Sequence, residues 1–237
     1  GGYMSQRHSL LNQVTRENVD RLELKWVLQN QVFGAWQSNP IIVDGVMYVT
    51  ERPNSVMAVD AVNGRVFWKY RHQNADNALV CCGANNRGVA VLNDKVYMGT
   101  LDAQLVALDR INGQLLWKAE VGDVDAAYSV TMAPLAVKDK IMVGVGGGEF
   151  GIRGYVAAFD AETGEQVWKT YTIPGPGEAG HDSWEGDDWE HGGAPVWITG
   201  SFDPDLNLTY WGVGNPGPDW NAGQRPGDNL HSDSAIA

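Results

Sequence analysis

The only two cysteines among 237 residues are neighbours, Cys81 and Cys82, and Arg87 follows with Gly83, Asn85 and Asn86 between. A trans peptide holds adjacent Cα atoms about 3.8 Å apart, whereas ordinary disulfides span about 4.4–6.8 Å. A bond between this pair would close a small strained ring, and strain of that kind persists where a functional site over-determines it. Two reduced thiols, packed or holding a soft metal, fit the same spacing, so both readings stand. Further on, Gly146, Gly147 and Gly148 precede Glu149, while Gly212 and Gly214 precede Asn215 and Pro216. Glycines let a backbone approach something flat and close, and a carboxylate with a carboxamide oxygen suits Ca²⁺ or a similar hard cation. Two loop caps would give the same pattern.

The run Gly146–Gly151 formally matches Gly-x-Gly-x-x-Gly, but a dinucleotide site requires a helix next. Ile152–Phe159 reads as a strand, which excludes nicotinamide binding there. Residues 173–193 form a long insertion whose Trp184 and Trp189 argue for an ordered loop over a site rather than disorder. His181 and His191 lie within it without a zinc-like spacing and read as hydrogen-bonded loop residues. Trp197, after Gly192 and Gly193, reads on its own as a structural tryptophan. No Walker loop, nucleophile elbow, His-Glu-x-x-His or Cys-x-x-Cys occurs. The acceptor pattern at Asn207–Thr209 lies inside a repeat and carries no weight.

What must position these residues is a repeat. Ala-x-Asp-x-x-x-Gly-x-x-x-Trp occurs without gaps at Ala58–Trp68, Ala107–Trp117 and Ala158–Trp168, with a degenerate fourth copy at Ser201–Trp211 and an earlier copy marked by Trp26. The intervals between tryptophans, 42, 49, 51 and 43, match the roughly 40–50 residues of propeller blades. In each unit the Asp can cap its own turn, the Gly supplies a left-handed residue and the Trp packs between sheets. Hairpins precede the copies at 41–49, 89–97 and 135–143, with Asp44-Gly45 and Asn93-Asp94 as turn signals. The expectation is an all-β β-propeller with four short strands per unit and about four to five blades in 1–237. Val14–Leu24 is the best helix candidate, and only a turn or two.

Ten Trp and 29 Gly suit such a fold. A net charge of −12 opposes nucleic-acid binding, which starts from a basic footprint. No run reaches the roughly 18 apolar residues of a membrane span. Gly1 reads as mid-domain, so a leader is expected elsewhere, and an oxidised cysteine pair would favour the periplasm or exterior.

Taken in order, Ser9–Val19, Cys81-Cys82 with Arg87, Gly147-Gly148-Glu149 through Arg153-Gly154-Tyr155, Trp184–Asp187 and Gly214-Asn215-Pro216 resemble the large subunit of the pyrroloquinoline quinone (PQQ)-dependent alcohol dehydrogenases, the methanol and ethanol dehydrogenase family. The resemblance implies an eight-bladed propeller of which 1–237 is an N-terminal part. It implies a Cys81–Cys82 disulfide on one face of PQQ, Trp197 on the other, and Arg87 on a PQQ carboxylate. Thr131, Gly146, Gly147 and Gly148 fall at further PQQ contacts. Glu149 and Asn215 match ligands of a Ca²⁺ or lanthanide ion. The family oxidises alcohols in the periplasm and passes electrons to a cytochrome c, sometimes with a small subunit or as a dimer. The family's catalytic Asp is expected beyond Ala237, which would leave this part inactive alone. Gln37 stands where methanol dehydrogenases place a Glu. A non-enzymatic propeller serving as a scaffold or sensor explains the repeats equally well.

Overall fold

A computed structural model describes residues 3–5 and 8–237. Fifteen strands form four antiparallel sheets. The first contains β1 (Ile41–Val43), β2 (Val46–Glu51), β3 (Ser55–Asp60) and β4 (Val66–Arg71), paired in that order. The second contains β5 (Ala90–Leu92), β6 (Lys95–Gly99), β7 (Gln104–Asp109) and β8 (Leu115–Glu120). The third repeats the plan with β9 (Leu135–Val137), β10 (Lys140–Gly144), β11 (Tyr155–Asp160) and β12 (Gln166–Tyr171). The fourth holds β13 (Ser201–Asp203), β14 (Leu208–Gly212) and β15 (Ala235–Ile236). This is a partial propeller.

Burial follows the stacking of sheets. β3, β7 and β11 are buried over most of their length, while β4, β8 and β12 carry mostly exposed or half-buried residues and form the outer edges. Tyr48, Val56 and Ala58 pack against Val96, Met98 and Val106 between the first two sheets. Tyr97, Leu105 and Ala107 pack with Ile141, Val143 and Ala157 between the next two. A register shift recurs at Ala58/Val59, Ala107/Leu108 and Ala158/Phe159.

The repeat's three key residues do what their chemistry suggests. Asp60, Asp109 and Asp160 each accept amides of their own turn, for example Val62 at 2.8 Å, Ile111 at 2.8 Å and Glu162 at 2.9 Å. Gly64, Gly113 and Gly164 have φ of +78°, +72° and +76°. These glycines are required twice over, because the tryptophan of the preceding repeat covers each one. A Cβ on Gly64 would lie 2.7 Å from Trp26, and one on Gly164 would lie 2.7 Å from Trp117. The indoles of Trp26 and Trp68 also donate to the carbonyls of Ala61 and Arg110, at 3.2 and 3.0 Å. Each blade is thus latched to the next.

Two expectations need correction. The Ser201–Trp211 copy is not an outer-strand repeat: β14 pairs on both sides, whereas β4, β8 and β12 are edges. It is the first hairpin of the fourth sheet, and its Trp211 donates to Thr209 rather than latching a neighbour. An Asp-rich turn followed by an aromatic strand looks alike in either place. Trp26 heads no sheet, because no strand precedes Ile41 among the described residues. The count is therefore three complete sheets and part of a fourth. The segment 14–24 contains one short 3-10 turn, Val19–Arg21.

Strand order sorts the connections onto two faces. The tight Asp-containing turns within β1–β2 and β3–β4, and their equivalents, lie on one face. The β2–β3 and β4–β5 connections and their equivalents lie on the other, and these include the long ones. Cys81, Cys82 and Arg87 lie between β4 and β5, Thr131 between β8 and β9, and Glu149 between β10 and β11. Trp197 lies between β12 and β13, and Asn215 between β14 and β15. All seven therefore share one face.

Candidate cofactor and metal site

Cys81 and Cys82 are joined by a disulfide, with Cα atoms 3.8 Å apart, and Cys82 has φ of +66°. Both sulfurs and a carboxylate oxygen of Glu149 lie within 4.8 Å of one another, although the two sites are far apart along the chain. Glu149 rides on a 3-10 turn, Gly148–Phe150, which left-handed Gly147 and Gly151 bracket. Arg87 is half-buried, donates to the Thr131 carbonyl from its amide at 3.1 Å and from its guanidinium at 3.3 Å, and lies 5.0 Å over the Trp197 ring. Burial lowers the Arg87 pKa from its ordinary value. Arg87 has no carboxylate partner among the described residues, in a chain with net charge −12. A half-buried cation left without an anion has capacity for one.

The two candidate metal-ligand loops are bonded to each other through residues 192–195. The Gly193 amide donates to the Ile152 carbonyl at 2.8 Å, and the Gly193 carbonyl accepts from Gly154 at 2.8 Å. The Ala194 amide donates to the Asn215 carbonyl at 2.9 Å, and Gly217 donates to the Gly192 carbonyl at 2.7 Å. Pro195 is wedged between the loops, since a Cβ on Gly148 would lie 2.8 Å from its ring and one on Gly214 would lie 3.1 Å from it. The residues just before Glu149 and Asn215 therefore approach one proline. Asn215 uses its amide nitrogen on Asp219 at 2.6 Å and on the Pro216 carbonyl at 3.2 Å. Its carboxamide oxygen is left as an acceptor, as a hard-cation ligand requires.

Gly146, Gly147 and Gly148 are close to something, and that something is the chain itself. Added Cβ atoms would meet the Ser129 hydroxyl, the Ala127 carbonyl and Pro195. Trp197 and Asn215 are exposed, and Gln37 makes no side-chain hydrogen bond among the described residues.

The 173–193 insertion is ordered. It contains a 3-10 turn, His181–Ser183, and a four-residue helix, α1 (Asp188–His191). Trp184 is buried and donates to the Leu230 carbonyl. The Arg153 guanidinium stacks on Tyr171 at 3.9 Å and Trp189 at 4.7 Å and donates to the Ile173 carbonyl at 2.6 and 3.0 Å. His181 and His191 bond to the Pro174 and Gly151 carbonyls, each at 3.1 Å, as expected of loop histidines.

Sequence reading missed the residues that hold these loops. The Gly192–Pro195 rung was visible only as two glycines before Trp197. Asn86, buried, donates to the Gly99 carbonyl at 2.9 Å and accepts from Gly88 at 3.1 Å. Asp102 and His72, 30 residues apart, form a buried pair that no local motif signals.

On one face of this partial propeller, the long loops carry a vicinal disulfide beside the Glu149 carboxylate and an arginine with no acidic partner among the described residues. The chain belongs to the PQQ family described as the glucose/ethanol/alcohol dehydrogenase β-propeller domain, whose model matches residues 1–237. It is 40% identical over 258 residues to the quinoprotein alcohol dehydrogenase PedH of Pseudomonas putida, covering 100% of this chain and 42% of that protein. It is 40% identical over 260 residues to the lanthanide-dependent methanol dehydrogenase of Methylacidiphilum fumariolicum, covering 99% of this chain and 42% of that protein. Among solved structures, the quinohemoprotein alcohol dehydrogenase ADHIIG of Pseudomonas putida superposes with a TM-score of 0.90 at 39% identity, covering 99% of this chain and 38% of that one. A europium-containing methanol dehydrogenase gives 0.87 at 40% identity, covering 93% and 42%. The chain thus spans about two fifths of the length of the relatives it matches.

Proposed function

We propose that this chain is the cofactor- and metal-binding part of a periplasmic PQQ-dependent alcohol dehydrogenase. The observation that carries the reading is the Cys81–Cys82 disulfide beside the Glu149 carboxylate, with Arg87 on the same connection and without an acidic partner among the described residues. The donor chemistry fits both groups. Cys81–Cys82 offers a flat sulfur platform and Trp197 an exposed ring, between which a planar quinone would be held. Arg87, with Thr131 beside it, would bind a quinone carboxylate, and Gly146, Gly147 and Gly148 would line the same wall. Glu149 and the Asn215 carboxamide oxygen would hold a Ca²⁺ or lanthanide ion, since both are hard donors.

A quinone held by these residues would supply a two-electron acceptor for alcohol oxidation, and a hard cation held by Glu149 and Asn215 would supply Lewis-acid polarisation beside it. This chain's residues supply the positions. The Gly192–Pro195 rung fixes the spacing of the Glu149 and Asn215 loops, Arg87 would orient the quinone through its carboxylate, and the insertion anchored by Arg153 would shield the site from water. Electrons would leave to a cytochrome c, and two relatives are named quinohemoproteins. No helix among the described residues is long and apolar enough to cross a membrane. A scaffold reading leaves the vicinal disulfide and the unpaired Arg87 without a purpose.

The test is reconstitution of the full-length protein with PQQ and either Ca²⁺ or La³⁺, followed by alcohol-dependent dye reduction. Activity that requires both PQQ and one of these ions is expected. Absence of PQQ binding under either ion overturns the reading.

A further inference from the structure

The cysteine-bearing connection is long, and its middle is scarcely held. It spans residues 72–89, between β4 and β5, without a strand or helix. Among the described residues, residues 79–83 take part in hydrogen bonds only with Asn85, which reaches the Cys82 carbonyl from its side chain at 3.0 Å and the Gly83 carbonyl from its amide at 2.8 Å. The disulfide is therefore carried between anchors at either end of the connection, with Asn77 donating to Asp125 and Arg52 donating to the Ala84 carbonyl at 3.1 Å as closer ties on its two sides. At the far end, Asn86 is tied to Gly99 and Gly88, and its carbonyl accepts from Thr50 at 3.2 Å.

At the near end the anchor is a buried carboxylate and the groups that bond to it. The Asp102 carboxylate, in the β6–β7 turn of the next sheet, meets His72 Nε2 at 2.9 and 3.0 Å. It also accepts the Thr100 hydroxyl at 2.6 Å and the Ala75 amide at 3.1 Å. The side chains of His72 and Asp102 are 5% and 4% exposed. The His72 amide donates to the Asn54 carbonyl at 2.9 Å, so the pair ties the connection to both adjoining sheets. Burial by itself raises the Asp102 pKa, and the hydrogen bonds from His72 and Thr100 overcome it and hold the carboxyl down to about 2. A buried carboxylate contributes little net stability compared with apolar packing, but removing one of its hydrogen-bond partners is heavily penalised. Such a pair is better suited to fixing one arrangement than to adding stability.

We propose that Asp102, through His72 and the Ala75 amide, is a positioning residue for the Cys81–Cys82 disulfide, holding it in register with Glu149 so that the quinone platform is preformed. This rests on the cofactor reading above, and its test separates the two.

In the full-length protein, wild type is compared with Asp102→Asn, His72→Leu and His72→Gln. Two quantities are measured: the rate at which a water-soluble phosphine reduces the disulfide of cofactor-free protein, followed by thiol labelling, and the affinity for PQQ in the presence of Ca²⁺. Asp102→Asn and His72→Leu are expected to speed reduction and weaken PQQ binding by about tenfold or more, the loss common when an outer-shell partner is removed. His72→Gln keeps a donor and is expected to restore most of both. Turnover at saturating PQQ stays near wild type. If the variants that fold are reduced and bind PQQ at wild-type levels, the positioning role is overturned. It is also overturned if reduction tracks the melting temperature alone, with no rescue by Gln. Should Asp102→Asn not fold, the two His72 variants decide the matter. If wild type itself fails to bind PQQ, the cofactor reading falls, and the reduction rates still decide the role of Asp102.

Discussion

Replacing Gly193 with alanine should weaken metal binding far more than its small size suggests. Gly193 has φ of +72°, where a non-glycine residue is disfavoured by about 1 kcal/mol. A Cβ there would lie 2.7 Å from the Gly217 amide nitrogen, on the Asn215 loop. That contact is too close for any real Cβ, so the loop must retreat. Retreat endangers the Ala194–Asn215 bond at 2.9 Å and the Gly217–Gly192 bond at 2.7 Å, each contributing about 1 kcal/mol. The sum is about 3 kcal/mol, or roughly a hundredfold if it fell entirely on the bound state at 1.4 kcal/mol per tenfold. Because part of it also destabilises the metal-free protein, the expected loss of Ca²⁺ or Eu³⁺ affinity is about ten- to a hundredfold. The matched control is Gly177→Ala, since Gly177 has φ of +85° and a Cβ added there would have nothing within 4 Å. It incurs the backbone penalty without the collision. Titration of metal-stripped full-length protein by calorimetry or europium luminescence measures both variants. Wild-type affinity in Gly193→Ala, or an equal loss in Gly177→Ala, refutes the claim that this rung sets the spacing of Glu149 and Asn215.

Three further outcomes follow from other contacts. The Trp68 indole donates to the Arg110 carbonyl at 3.0 Å, while the buried Trp117 indole nitrogen has no partner. Trp68→Phe should therefore destabilise by about 1–3 kcal/mol more than Trp117→Phe in denaturant titrations, and equal losses would show that these bonds do not distinguish the latches. Asp102 has a folded pKa of about 2, below its ordinary value of about 4. Its contribution, about 2–3 kcal/mol, is fully present above pH 4 and fades as pH falls towards 2. Acid titration of Asp102→Asn should be flatter across that window, and a parallel curve would refute the assignment. Arg153→Lys loses the planar stack on Tyr171 and Trp189 and the paired donation to Ile173. Limited proteolysis should cut within 173–193 several times faster in the variant, and an unchanged digestion pattern would count against Arg153 as the anchor.

The repeat was legible because its work is local. Asp60, Asp109 and Asp160 cap turns within a few residues, and the glycines that follow need their left-handed φ whatever surrounds them. The misread copy at Ser201–Trp211 shows the limit of that logic. An Asp-capped turn leading to a tryptophan satisfies the local rules in the first hairpin of a blade as well as in the last. Only the pairing of β14 with β15 on its far side separates the two. Cys81–Cys82, Glu149 and Asn215 were legible as unusual chemistry in unusual loops. That their connections share one face was not legible from the residues themselves, only from the family resemblance, because face follows from strand count rather than residue type. The buried supports were invisible for a deeper reason. His72 and Asp102 acquire meaning only when two sheets stack, and Pro195 only when Gly148 and Gly214 close on it. A propeller places its short, rule-bound turns on one face and its long, context-bound loops on the other. Sequence is therefore most readable on the face of the short turns, and least readable where long-range contacts must fix the geometry of the loops.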